Sequence, residues 1–200
     1  MVLKKNQLDE PDFENDSFSI GEFMSFEFDE KVELVEGKIK FMGYTNSVHA
    51  SLLVWLATHF YSWNEERDWG HVLAGDAGIR TKNKPATARG AEVVCISHET
   101  YSKVSAKGKV IDVGPELVIE IISPSNTFSN IQTKIREYFQ IGSTEVWTVD
   151  PEVNTITAYD APNQCRIYDM ECGKPASSPQ FKGLEISLEK MQRKIDALSS

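Results

Sequence analysis

Apolar residues recur along this chain with two periods. In VHASLLVWLATHFYSW (48–63), Val48, Leu52, Leu53, Leu56, Phe60 and Trp63 fall at helical spacing, which predicts an amphipathic helix with a wide apolar face. Ile131, Ile135, Tyr138 and Phe139 repeat helical spacing in 129–141. There Ser129 and Gln132 match a Ser-x-x-Gln capping box, and Gly142 is placed to end the helix. Elsewhere the apolar residues come in short dense runs. ELVIEII (116–122) is the clearest: branched and nearly all apolar, as a strand buried on both faces should be, and closed by Ser-Pro-Ser-Asn at 123–126. AEVVCIS (91–97), EVWTVD (145–150) and TITAYD (155–160) also read as strands, the last two joined by a short turn. VELVEGKIKFM (32–42) predicts two short strands around a Glu36-Gly37 turn. HVLAGDAGIR (71–80) predicts two more, broken at Gly75 and Gly78, and 166–170 another. A short helix or strand is expected in 19–28. The stretches 81–90, 98–115 and 175–179 read as loops, and the polar C-terminal segment has helical character. Helices interrupt strands that otherwise join by short turns. The prediction is an α/β (mixed α+β) chain with one central mixed sheet flanked by helices.

Length fits this picture. At 200 residues the chain holds one domain, placed at 18–200, after an acidic mobile arm at 1–17. No apolar run approaches the ~18 residues of a membrane span, and nothing apolar follows the N-terminal lysines as in a signal peptide. Cys95, Cys165 and Cys172 are odd in number and at no metal-ligand spacing, so they read as reduced thiols in a cytoplasmic protein. The net charge of −9 is uneven. Residues 1–36 carry eleven acids and three bases, and the rest is close to neutral. That argues against a non-specific nucleic-acid coat but leaves room for a local basic surface.

Candidate chemistry starts with Glu120, set between Ile119 and Ile121 in the most apolar strand. A carboxylate there is costly unless paired or bound to a cation. It is therefore a buried ion pair, an acid at the wet end of a sheet, a metal ligand or a catalytic group. Glu92 opens another apolar strand. Two carboxylates on adjacent strands can hold a divalent cation, and magnesium takes only one or two while keeping waters. Lys134 lies at the margin of its helix's buried stripe, roughly 80° off centre at ~100° per residue, where it can snorkel or reach over the sheet end.

The run PELVIEIISPSN…KIREYFQIGSTEVWTVDP (115–151) resembles the signature of the Uma2 family of bacterial endonucleases, within the restriction-endonuclease-like PD-(D/E)xK superfamily. VELVEGKI, ARGAEVVCIS and FKGLEISLEKM are similar to the family's other segments. The resemblance implies a restriction-endonuclease-like core and a phosphodiester hydrolase acting on nucleic acid, DNA first. It also implies a site of Glu92, Glu120 and Lys134, with Mg2+, or Mn2+, held by the two glutamates. Two departures stand out: Glu92 replaces the family's usual Asp, and the in-strand Lys of the superfamily is Ile122, so Lys134 would supply the ammonium from the following helix. Superfamily analogy adds a homodimer in which each subunit cuts one strand.

Further candidates are Glu33, which matches a family acid but equally suits a solvent-facing strand position; Asp76, which suits a turn; and His49, which could meet a phosphate or cap its helix. Arg80, Lys82, Lys84 and Arg89, with Lys103, Lys107 and Lys109 beyond, form basic loops able to contact phosphates. The competing reading is a non-catalytic binding module of the same fold, favoured by the two departures and by the acidic N-terminal arm.

Overall fold

The computed structural model describes residues 11–105 and 109–199. Most of the N-terminal arm (1–10) and Lys107 lie outside the described residues. Its end packs on the body: the Phe13 ring meets Phe18, Phe26 and Phe28.

α1 (Ile20–Phe23) is a single turn closed by a Ser19–Glu22 capping box. β1 (Val32–Val35) and β2 (Lys38–Phe41) form the expected hairpin, and Glu36 and Gly37 both take positive φ (52° and 80°), as its two-residue turn requires. α2 (Ser47–Glu65) is the first long helix, capped by Asn46, whose side chain accepts from the His49 amide.

β3 (Gly70–Asn83) and β4 (Ala86–Ser97) then form one long antiparallel hairpin. The chain does not break at Gly75 and Gly78. β3 instead absorbs the irregularity as a bulge, with Gly75 and Asp76 set against Glu92, and both bulge residues at positive φ. The expected loop at 81–90 is likewise strand on both sides of a tight turn at Lys84-Pro85. Residues 98–115 are largely irregular apart from α3 (His98–Ser102).

β5 (Leu117–Ile121) is buried throughout. α4 (Phe128–Gln140) carries the chain back to β6 (Glu145–Asp150), which pairs with β5 in parallel. The α4 cap is Thr127, which accepts from the Asn130 amide, rather than the expected Ser129. Gly142, at φ 99°, closes the helix: its amide donates to Phe139 and that of Ser143 to Tyr138, a Schellman pattern. β7 (Thr155–Ala161) and β8 (Gln164–Tyr168) extend the sheet. β9 (Ala176–Ser177), inside the expected 175–179 loop, pairs with β10 (Glu185–Ile186) ahead of α5 (Leu188–Ser199).

The sheet runs β2-β1-β4-β5-β6-β7-β8, with β3 on β4. It is a mixed α/β sheet flanked by helices. One side packs Leu52, Leu56 and Phe60 of α2 and Met191 of α5 against Val93, Cys95 and Trp147. The other packs Ile131, Ile135 and Tyr138 of α4 against Val94, Ile96 and Val118. No helix among the described residues is long and apolar enough to cross a membrane.

Candidate active site

β4 has two hydrogen-bonding edges. β3 occupies one along most of its length. The other is shared: β1 meets it at Ala88, and β5 meets it from Val93 to Cys95. Between these contacts, around Gly90 to Glu92, the sheet is splayed. A hollow opens there, lined by Glu33, His49, Gly90, Glu92, Glu120, Lys134 and the Ser123–Asn126 turn.

Strand alternation also fails at this place. Ala91 packs in the cluster beneath α4, yet Val93, two residues on, packs in the cluster beneath α2. The β3 bulge lies directly opposite. Glu92 therefore reaches towards α2, where its Oε1 lies 3.0 Å from His49 Nε2 and 3.4 Å from Lys31 Nζ. The histidine nitrogen is close to the carboxylate but not aligned for a hydrogen bond, its Nε2 being buried with no hydrogen-bond partner. Burial pushes the Glu92 carboxyl up, but His49 and Lys31 outweigh it and hold the acid below its ordinary range. Lys31 also pairs with Asp76. Asp76 thus sits in a bulge within β3 instead of the expected turn, and pairs with the lysine that lies over Glu92.

Glu120 reaches towards α4. Its Oε2 accepts from Lys134 Nζ at 3.1 Å and its Oε1 from the Tyr138 hydroxyl. Burial dominates, so the Glu120 carboxyl is raised despite Lys134 and Tyr138, and Glu33 adds to the rise. Lys134 bridges Glu120 and Glu33, the latter at 3.0 Å. Burial alone would lower this ammonium, but Glu120 and Glu33 raise it well above its ordinary value. Lys134 is consequently a fixed cation and not a proton acceptor near neutral pH.

Glu33 is buried, not solvent-facing. It accepts from Lys134, from Arg89 Nη1 at 3.1 Å and from the Gly90 amide at 3.2 Å. Arg89 also binds Glu137 in bidentate fashion, through Nε at 2.7 Å and Nη2 at 3.2 Å. Lys82 lies 3.1 Å from the same carboxylate. Glu137 is held below its ordinary range: burial raises it, and Arg89 and Lys82 outweigh that.

The structure thus gathers Glu33, His49, Glu92, Glu120 and Lys134 at one opening, with Asp76 one ion pair away. It does not gather the basic set there as free phosphate contacts. Lys82 and Arg89 neutralise Glu137, Arg80 pairs with Asp112, and Lys84 sits at the hairpin turn. His49 does not cap its helix; Asn46 does. Lys31, Glu137 and the Tyr138 hydroxyl are further members that sequence reasoning missed. Glu137 had a signal, lying three residues after Lys134 and so on the same helical face.

Does a divalent cation suit these residues? Glu92 and Glu120 bring two carboxylates to one hollow, which is the usual protein share of a magnesium site. The His49 imidazole, with Nε2 3.0 Å from Glu92, brings a nitrogen beside that acid, a donor that manganese accepts more readily than magnesium. No ready-made cluster of three or more acidic, His or Cys ligands occurs among the described residues. The donor set fits a cation that keeps waters and takes further oxygens from a phosphate.

The chain is thus a mixed α/β protein whose sheet is splayed at one point, with carboxylates and a lysine at the opening. Residues 20–189 match the Uma2 family model, described as "Putative restriction endonuclease", and the chain belongs to that family. Its fold is similar to that of a solved structure from Anabaena variabilis, described as a putative nuclease belonging to DUF820, with a TM-score of 0.73 at 17% identity. The likeness covers 89% of this chain and 99% of that one. No curated protein matches the chain.

Proposed function

We propose that this protein is a metal-dependent endonuclease that hydrolyses phosphodiester bonds in nucleic acid, DNA foremost. The observation that carries it is the convergence of Glu92, Glu120 and the protonated Lys134 on the hollow where β1 and β5 part on β4. Glu92 and Glu120 would hold a divalent cation, Mg2+ or Mn2+. When bound, such a cation lowers the pKa of its water and offsets charge on a phosphodiester. Lys134 donates to a non-bridging phosphate oxygen, where negative charge grows in the transition state. Glu33 and Glu120 hold that ammonium in place and protonated. Tyr138 fixes the second Glu120 oxygen from beneath.

The test is calorimetric titration with magnesium and then manganese, on the parent and on Glu120→Ala, followed by a nicking assay. Saturable parental binding that disappears in the variant, with metal-dependent nicking, is the expected result. A blank titration, both alone and with nucleic acid present, would overturn it.

One observation favours a second reading, a non-catalytic binding module. Glu92 is already met by Lys31 and His49, and Glu120 by Lys134 and Tyr138. On that reading Glu120→Gln leaves nucleic-acid binding intact and there is no nicking to lose.

A further inference from the structure

Two exposed aromatic side chains stand at the site and take no part in the chemistry above. β2 runs out through Phe41, Met42, Gly43 and Tyr44. Tyr44 is fully exposed, at 105%, and Phe41 is 52% exposed. Tyr44 lines the hollow already described, of about 330 Å³. Phe41 lines a second hollow of about 470 Å³, edged by Lys40, Asn130 and Thr133. The two adjoin: Glu33, Met42, Asn126 and Lys134 line both. A chain lying through both hollows therefore crosses Lys134 and meets an aromatic ring in each.

The charges around the site point the same way. Duplex binding draws on many lysine and arginine contacts to phosphates. Here the cations near the cleft are committed to acids: Lys31 to Asp76 and Glu92, Lys82 and Arg89 to Glu137, Arg80 to Asp112. Lys38 is bound to the backbone carbonyls of Asn15 and Asp16. Lys40 is left at the second hollow, with no acid partner among the described residues. A surface with exposed rings and few available cations suits ligands that bind through base faces, which are exposed only where bases are unpaired.

We propose that the site takes nucleic acid with unpaired bases, a single strand or locally opened segment, with Tyr44 and Phe41 as stacking surfaces along the path over Lys134. This rests on the nuclease reading for what happens at the phosphate. The binding itself is separable from cleavage. Affinity would come from stacking, so its salt dependence would be shallow.

The test is fluorescence anisotropy in chelator, so that nothing is cut. The probes are a labelled DNA strand of about 12 nucleotides, its duplex, and an abasic strand of equal length. The strand is expected to bind at least about tenfold more tightly than either control. Tyr44→Ala should weaken strand binding by roughly tenfold, Tyr44→Phe should restore it, and Phe41→Ala should show a smaller loss. Equal binding of the duplex or the abasic strand, an unchanged Tyr44→Ala, or no binding of any probe would each overturn the proposal. Cleavage with magnesium or manganese separates the two readings. Duplex cleavage indifferent to Tyr44→Ala overturns the stacking proposal and leaves the nuclease standing. Base-dependent strand binding, with no cleavage of any polymer, does the reverse.

Discussion

Lys134 faces two buried carboxylates, Glu33 and Glu120, but Glu33 also has Arg89, so Glu120 is the acid that depends on Lys134 alone for a cation. Burial, with Glu33 adding to it, raises the Glu120 carboxyl, so its charge is one the fold holds at a cost. Glu120→Gln removes it: the amide oxygen can face Lys134 and its nitrogen can donate to the Tyr138 oxygen. The expected variant is a protein whose metal-dependent nicking falls by at least roughly a hundredfold while its melting temperature in chelator holds or rises. A lowered melting temperature would instead mark Glu120 as a structural ion-pair partner. Lys134→Met acts in the opposite direction. It leaves Glu120 buried without a cation, while Glu33 keeps Arg89 and the Gly90 amide, and should cost about 3–5 kcal/mol in chemical denaturation. Adding Glu120→Gln to it should return part of that loss, because one stranded charge is then gone. These roles were only partly legible in the sequence. A lone acid among isoleucines was visible at Glu120. That Glu33 is buried was not, because strand alternation places a residue on one face or the other and cannot say which face is covered.

At the level of elements, helix and strand periods identified the cores of α2, α4 and β5, and Gly37 and Gly142 marked the β1–β2 turn and the end of α4. The errors fell where tertiary structure outweighs local pattern. Gly75 and Gly78 read as a break, but β4 pairs with β3 on either side of them, and the ladder absorbs one extra residue as a bulge. That bulge lies opposite Glu92, at the point where the alternation of β4 fails and Glu92 meets His49 of α2. Capping went wrong by two residues for a local reason: Ser129 has the right chemistry, but helical backbone begins at Phe128, so Thr127 takes the extended cap conformation. The two caps predict different outcomes. Thr127→Ala should destabilise the fold by about 1 kcal/mol, and Ser129→Ala should stay within about 0.5 kcal/mol, both read from urea unfolding midpoints at unchanged slope.

For the molecule as a whole, the charged network makes stability depend on pH with two opposing signs. Glu137 is held below its ordinary range by Arg89 and Lys82, which outweigh burial. Below the ordinary value of 4.5 the unfolded chain therefore takes up the proton first. Stability from Glu137 is fully present above that value and is lost as the pH falls through the folded pKa. Glu92, also lowered, adds to the same limb. Glu120 is raised, so it works in a higher window: the folded chain takes up its proton first, and stability falls as the pH rises from 4.5 through the folded pKa. Two variants measured in chelator separate these terms. Glu137→Gln breaks a buried pair and should lose about 3 kcal/mol at neutral pH, with the deficit closing as the pH falls below 4.5. Glu120→Gln should match or exceed the parent at neutral pH, with any advantage shrinking as the pH falls towards 4.5. Urea unfolding at several pH values checks both. Curves that move in the same direction for the two variants would show that the network responds to charge removal as one structural unit. Curves of opposite sign would separate the acid that holds α4 to the β3–β4 hairpin from the acid whose charge the fold keeps at a cost.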